Sequence, residues 1–149
     1  WAMPRAAVHS DCRPMGWDQL REMQAAGMEI AGHGVHHRML AKLPDDALVA
    51  EVAQCQARLS AELGAPAVAL SYPVGGPDAY DERVVRAARD SGFRIGFSYV
   101  SGTNPWPPAD RFRLLRSAVE RSVDRPWFEG ILALPEVFSH PSAIRVYPA

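Results

Sequence analysis

The sequence predicts an α/β fold built on parallel strands, and two observations carry that prediction. Short apolar runs at residues 28–32, 67–72 and 93–98 alternate with longer segments of helical periodicity. Strands separated by helices of this length are joined by crossovers and pair in parallel. Each of the first two runs is also followed at once by a cluster of polar or turn-forming residues, Gly32-His33-Gly34-Val35-His36-His37 and Ser71-Tyr72-Pro73-Val74-Gly75-Gly76. Positions just past the carboxyl ends of parallel strands are where such sheets carry function.

The elements follow in order. Residues 1–14 mix Pro, Arg and small side chains without a period and are expected to be a lead-in loop. Trp17, Leu20 and Met23 recur at helical spacing, and Gly27 ends that helix. Met28 and Ile30 open a buried strand that ends at Gly32. Pro44-Asp45-Asp46 starts the next helix with acidic residues in its first turn, where the helix dipole favours them. Leu48, Val52, Cys55 and Leu59 form its apolar face, and Gly64 stops it. After the run 67–72, Asp78 or Asp81 caps a helix that buries Val84, Val85 and Ala88 and ends at Gly92. Phe93, Ile95 and Phe97 alternate as a strand. A Pro-rich loop leads to a further strand within 112–119 and a short helix at 127–134, with residues 135–149 as a peripheral tail.

Composition bounds the function classes. The chain has 149 residues, enough for one domain, and 48% of them are apolar, which excludes disorder along its whole length. A formal net charge of -1 gives no electrostatic footprint for nucleic acid or for an anionic membrane. No apolar stretch is long enough to form a transmembrane segment. Cys12 and Cys55 are the only cysteines, too few and too far apart for a disulfide framework or a cysteine zinc site. Trp1 is not an initiator, so a longer reading frame or processing is expected, and Trp1 to Asp11 carry no apolar signal core.

His33, His36 and His37 fall within five positions. Residues four apart share a face on a helix, and also on a strand, so His33 and His37 could chelate one divalent cation through neutral ring nitrogens. Histidines on an ordinary solvated loop fit the same letters, and the residues alone leave both open. A catalytic zinc site uses three protein ligands; His9, Asp11 and Cys12 are near in sequence, but nothing fixes their geometry. The backbone N–H groups beyond Pro73 could stabilise an oxyanion, although a plain strand-to-helix turn is the simpler reading of that segment.

In order, these blocks resemble the polysaccharide deacetylases, the NodB-homology domain of carbohydrate esterase family four. MGWDQLREMQAAGMEIAGHGVHHRML is similar to the family region with a Trp-bearing helix, an acidic-Ile-Gly strand and a His-x-x-x-His pair, with Gly34 where the family usually has Ser or Thr. SYPVGGPDAYDERVVRAARDSGFRIGFS is similar to the block in which a Tyr-Pro-x-Gly turn leads into a helix, and DRFRLLRSAV to an Arg-Leu-Pro-Arg block with Leu115 in place of the proline. The resemblance implies a partial, deformed (β/α) barrel and a metal-dependent hydrolase that removes acetyl groups from an N-acetylated glycan. It implies a divalent metal such as zinc, held by His33 and His37, an oxyanion role for the Val74 backbone N–H, and substrate contacts at Tyr72, Pro73 and Gly75. An extracytoplasmic or cell-envelope location follows from the resemblance alone.

The family's Asp-Asp pair, which supplies base and third ligand, is not among these blocks. Asp45-Asp46 follows the histidines and reads as a helix start. The family arginine that orients the base is Ser71, and the late Leu-His motif is not evident; His140 sits in a Ser-His-Pro tail. The expectation is therefore a fragment of a deacetylase domain over 1–149, with no base of its own, weak metal binding and little activity. Two alternatives stand: a non-catalytic carbohydrate-binding or structural remnant of the fold, and a metal hydrolase with another third ligand. Trp106 and Tyr99 could stack on sugar rings or serve as loop anchors.

Overall fold

The computed structural model describes residues 14–119 and 123–138. Its elements are α1 (Trp17–Ala25), a 3-10 turn (Leu40–Lys42), α2 (Asp45–Leu63), β1 (Ala69–Ser71), α3 (Glu82–Asp90), β2 (Ile95–Phe97), α4 (Arg125–Ala133) and α5 (Pro135–Phe138). The expected lead-in, with His9, Asp11 and Cys12, lies outside the described residues, as does the tail from residue 139, with His140.

The strands are parallel, as expected, and shorter than expected. β1 and β2 pair with Ala69 opposite Ile95, Leu70 opposite Gly96 and Ser71 opposite Phe97. Single parallel bridges extend the sheet on both sides, Gly32 to Leu70 and Leu114 to Phe97. The four extended segments thus lie side by side in chain order, the neighbour relation of a (β/α) barrel wall. The connection from β2 to Leu114 is the irregular Pro-rich loop rather than a helix.

Two strand expectations are corrected. Residues 28–32 are not a buried strand: Met28 is 56% exposed, Glu29 and Ala31 face solvent, and only Ile30 and Gly32 turn inward. Pairing there is confined to Gly32, whose N–H donates to the Ala69 carbonyl and whose carbonyl accepts from Ser71, each at 2.9 Å. Residues 112–119 likewise contribute one bridge at Leu114.

α2 supplies the centre of the core. Leu48, Val52, Cys55 and Leu59 are buried with Leu40, Leu43, Leu70, Tyr72, Val84, Val85, Phe93 and Phe112. The helix is also tied to the segment that leads into β1 by a buried side chain: the Gln56 amide donates to Ala67 O at 2.8 Å and accepts from Ala67 N–H at 3.0 Å. Arg83 on α3 reaches across to the Ala41 and Leu43 carbonyls and to Asp45, locking the 3-10 turn and the start of α2 against α3. Gly96 is required where it stands, because a Cβ there would lie 2.7 Å from the Phe112 carbonyl oxygen.

Asp81, rather than Asp78, caps α3: its carboxylate accepts from Val84 N–H at 3.0 Å and from Arg83 at 3.1 Å. Burial pushes this carboxyl up, but those hydrogen bonds outweigh it and hold it below its ordinary value. A lowered carboxyl contributes stability above the unfolded-state value and loses it as pH falls through the folded one. Asp81→Ala is expected to cost about 1 kcal/mol at neutral pH, with the gap from the parent closing as pH drops below about 4. Urea melts at pH 7 and pH 3 measure both; an equal gap at the two would contradict the capping role.

Candidate active site

The site forms where the segment after Gly32 meets the turn after β1. The bridge at Gly32 sets His33 beside Ser71, and His33 Nδ1–H donates to the Ser71 carbonyl at 2.7 Å. A carbonyl can only accept, so in the neutral ring the proton sits on Nδ1 and the Nε2 lone pair is left for an electrophile. His37 returns to the same place: its ring centroid lies 4.9 Å from that of His33, edge to face. The expected proximity therefore holds, although not by the expected route. Residues 33–37 are neither helix nor strand, but a loop with Gly34 at φ 73° and His37 at φ 55°. Two left-handed residues let the chain double back so that the imidazoles converge.

His36 points elsewhere. Its Nδ1–H donates to Glu51 Oε2 at 2.9 Å, while the Val35 and His36 backbone N–H groups both donate to Glu51 Oε1. The Glu51 side chain is only 4% exposed. Burial pushes its carboxyl up, but the bonds from the His36 ring and from the His36 and Val35 backbones outweigh this and bring it below its ordinary value. Sequence reasoning passed over Glu51. Its one trace in the sequence is its place beside the apolar face of α2, one position before Val52 and one turn before Cys55. Cys55 lies one turn further along the helix; burial pushes its thiol up, by more than the neighbouring His33 and Gly34 backbones bring it down.

The 72–76 turn sits against this loop, since a Cβ on Gly34 would lie 3.5 Å from Pro73 Cγ. The expected contact residues are placed differently from one another. Tyr72 is 1% exposed, and its hydroxyl donates to Phe112 O at 2.8 Å. Burial raises that phenol well above its ordinary value. The Tyr72 side chain is therefore held in the core rather than offered to a ligand, which corrects the expected substrate contact to a packing role. Pro73 and Gly75 are buried as well, so neither offers a side-chain surface. Val74 is the exposed residue of the turn, and it has φ 65°, followed by Gly75 at φ 66°. A β-branched residue in the left-handed region is strained by about 1–3 kcal/mol, and such strain collects where a backbone group must face a particular way. Among the described residues the Val74 N–H has no hydrogen-bond acceptor.

The described residues contain no group of three His, Cys, Asp or Glu side chains able to hold a metal ion. His33 and His37 fit two of the three positions that a catalytic zinc site takes from protein. Trp106, on the loop after β2, is 93% exposed, and Tyr99 lies under the Arg116 guanidinium at 5.2 Å. No described helix is long and apolar enough to cross a membrane.

The parallel α/β fold and the converging imidazoles are what the sequence resemblance implies, and comparison with known proteins makes the assignment. The polysaccharide deacetylase family model matches residues 4–96, and the chain belongs to that family. Among solved structures, the chain is similar to the Streptococcus pyogenes deacetylase PplD in complex with acetate, with TM-score 0.72 and 20% identity over 89% of this chain and 54% of that one. It is similar to a de-N-acetylase from Aggregatibacter actinomycetemcomitans, with TM-score 0.67 and 18% identity over 86% of this chain and 57% of that one. IcaB from Ammonifex degensii matches with TM-score 0.58 and 25% identity over 70% of this chain and 48% of that one. The chain spans about half the length of these structures. No curated protein matches it.

If Val74 is held left-handed for the sake of its backbone, Gly can replace it without penalty. Val74→Gly is expected to leave stability unchanged or raise it by about 1 kcal/mol, as relief of strain offsets the greater freedom of unfolded glycine. Thermal or urea unfolding reads the change; a loss above about 1 kcal/mol would show that the Val side chain, not the backbone, fixes this turn.

Proposed function

We propose that this chain serves a metal-dependent deacetylase that removes N-acetyl groups from a polysaccharide or oligosaccharide, with His33 and His37 as ligands of a divalent cation, zinc by donor type. The observation that carries the reading is the His33–Ser71 hydrogen bond, which fixes the tautomer that leaves Nε2 available, with the His37 ring 4.9 Å away. Metal-ligating histidines elsewhere are fixed by a hydrogen bond from the other ring nitrogen in the same way. When bound, the cation supplies polarisation of the acetyl carbonyl and activation of water.

The chain's own groups then have distinct tasks. His33 and His37 hold the cation at the sheet's carboxyl end. The Val74 N–H donates to the oxygen on which charge develops as the amide carbon becomes tetrahedral, a contribution of a few kcal/mol for one well-placed donor. The backbone at Pro73–Gly75 lines the acetyl group, and Trp106 offers a face on which a sugar ring can stack. Proton transfer from water and to the leaving amine requires a base and an acid, which this reading assigns to groups beyond the described residues. A carbohydrate-binding remnant of the fold is the second reading, and the count of two ligands rather than three among the described residues favours it.

Zinc affinity, measured by competition with a chromogenic chelator, tests the ligand assignment. The parent is expected to bind weakly, and His33→Ala or His37→Ala to weaken binding by more than tenfold, while His36→Ala leaves it within a few-fold. Acetate release from an N-acetylglucosamine oligomer tests the activity, using the chain alone and a version extended with the family's Asp-Asp strand. The extended form is expected to release acetate only with added divalent cation, and to lose release with either alanine. Glycan binding without acetate release in the extended form would favour the remnant.

A further inference from the structure

We propose that Glu51 is the positioning residue of the His33–His37 loop: one buried carboxylate holds the loop's backbone in the shape that brings the two imidazoles together. The proposal rests on the reading of those imidazoles as cation ligands and adds the group that makes them converge.

The geometry is specific. Residues 33–37 have no regular secondary structure, so their backbone donors have no strand or helix partner. Buried donors without acceptors are costly, and their shape is set by whatever accepts from them. Val35 and His36 both donate to Glu51 Oε1, and the His36 ring donates to Oε2. Cys55, one turn further along α2, packs beneath the same loop, since a Cβ on Gly32 would lie 3.1 Å from its Sγ. Two successive backbone N–H groups and one ring N–H thus converge on a single side chain of α2. That helix is itself fixed through Gln56 to Ala67, just ahead of β1. Glu51 is also where the loop's conformation meets its sequence. A Cβ on Gly34 would stand 3.2 Å from Glu51 Oε1, and φ 73° at that position strains any side-chain-bearing residue. The glycine between the strand end and His37 therefore makes room for the carboxylate. Ion pairing is not required for this role: both Oε1 bonds come from neutral amides, and a neutral carbonyl can accept them.

Two variants separate position from charge. Glu51→Gln keeps a carbonyl oxygen for the two N–H groups and an amide that can donate to a neutral His36 Nδ1. Glu51→Ala removes every acceptor. The measurements are zinc affinity and, on metal-free protein, amide exchange at Val35 and His36 together with the nuclear Overhauser contact between the His33 and His37 rings. Expected are a ten- to hundredfold loss of zinc affinity in Glu51→Ala, faster exchange at both amides and loss of the ring contact, with Glu51→Gln close to the parent in all three. Should Glu51→Ala fail to fold, Glu51→Gln and Gly34→Ala carry the test. Gly34→Ala crowds the same carboxylate and is expected to weaken the ring contact and zinc binding together. Unchanged zinc affinity and ring contact in Glu51→Ala, or in Gly34→Ala, would overturn the proposal. A parent that binds no zinc, yet loses the ring contact in Glu51→Ala, would refute the metal reading and leave the positioning role standing.

Discussion

Gly32 meets β1 through two backbone hydrogen bonds, to the Ala69 carbonyl and from the Ser71 N–H. Those two bonds fix which residue of the histidine loop stands beside which residue of the β1 turn. In a parallel register a slip by one residue would turn His33 to the other face of the sheet. The carbonyl of Ser71 would then have no imidazole to accept from, and the tautomer of His33 would be undetermined. The residue at the bridge must also be glycine, since a Cβ there would lie 2.9 Å from the Phe93 ring and 3.1 Å from Cys55 Sγ. Close packing of core and precise placement of the site are therefore one constraint.

α2 carries that constraint into the rest of the molecule. Its buried stripe is mixed: Leu48, Val52, Cys55 and Leu59 fill the core, while Glu51 and Gln56 each meet backbone donors or acceptors. A buried carboxylate on an apolar stripe is expensive unless fully hydrogen-bonded, and Glu51 is bonded three times over. No buried side-chain nitrogen or oxygen among the described residues lacks a partner. The polar groups of α2 therefore specify where the loop lies, and its apolar groups hold the helix in the core.

The parallel arrangement and the order of the elements were legible because hydrophobic period and cap residues report them locally. Gly64 and the buried face of α3 are where the pattern puts them. Strand extents were not legible: residues 28–32 carry apolar letters, yet pairing stops at Gly32, because a strand's length depends on its neighbour and not on its own period. The histidine pair was legible as spacing but not as geometry, since the convergence arises from positive φ at Gly34 and His37. Tyr72 misled because a tyrosine in a turn motif can face either way, and here the space beside Gly96 admits its ring to the core. Glu51 was hidden because a helix-interior acid is usually solvated, and only the fold shows that this one faces a loop whose Val35 and His36 stand sixteen and fifteen positions earlier in the chain.

X-ray absorption at the zinc edge of the zinc-loaded chain tests the central claim most directly, because it counts imidazoles around the ion without requiring activity. Two imidazole nitrogens at about 2.0–2.1 Å are expected, falling to one in His33→Ala. A spectrum fitted by one imidazole or none in the parent chain would contradict the account, because it would mean that the two rings do not share a cation.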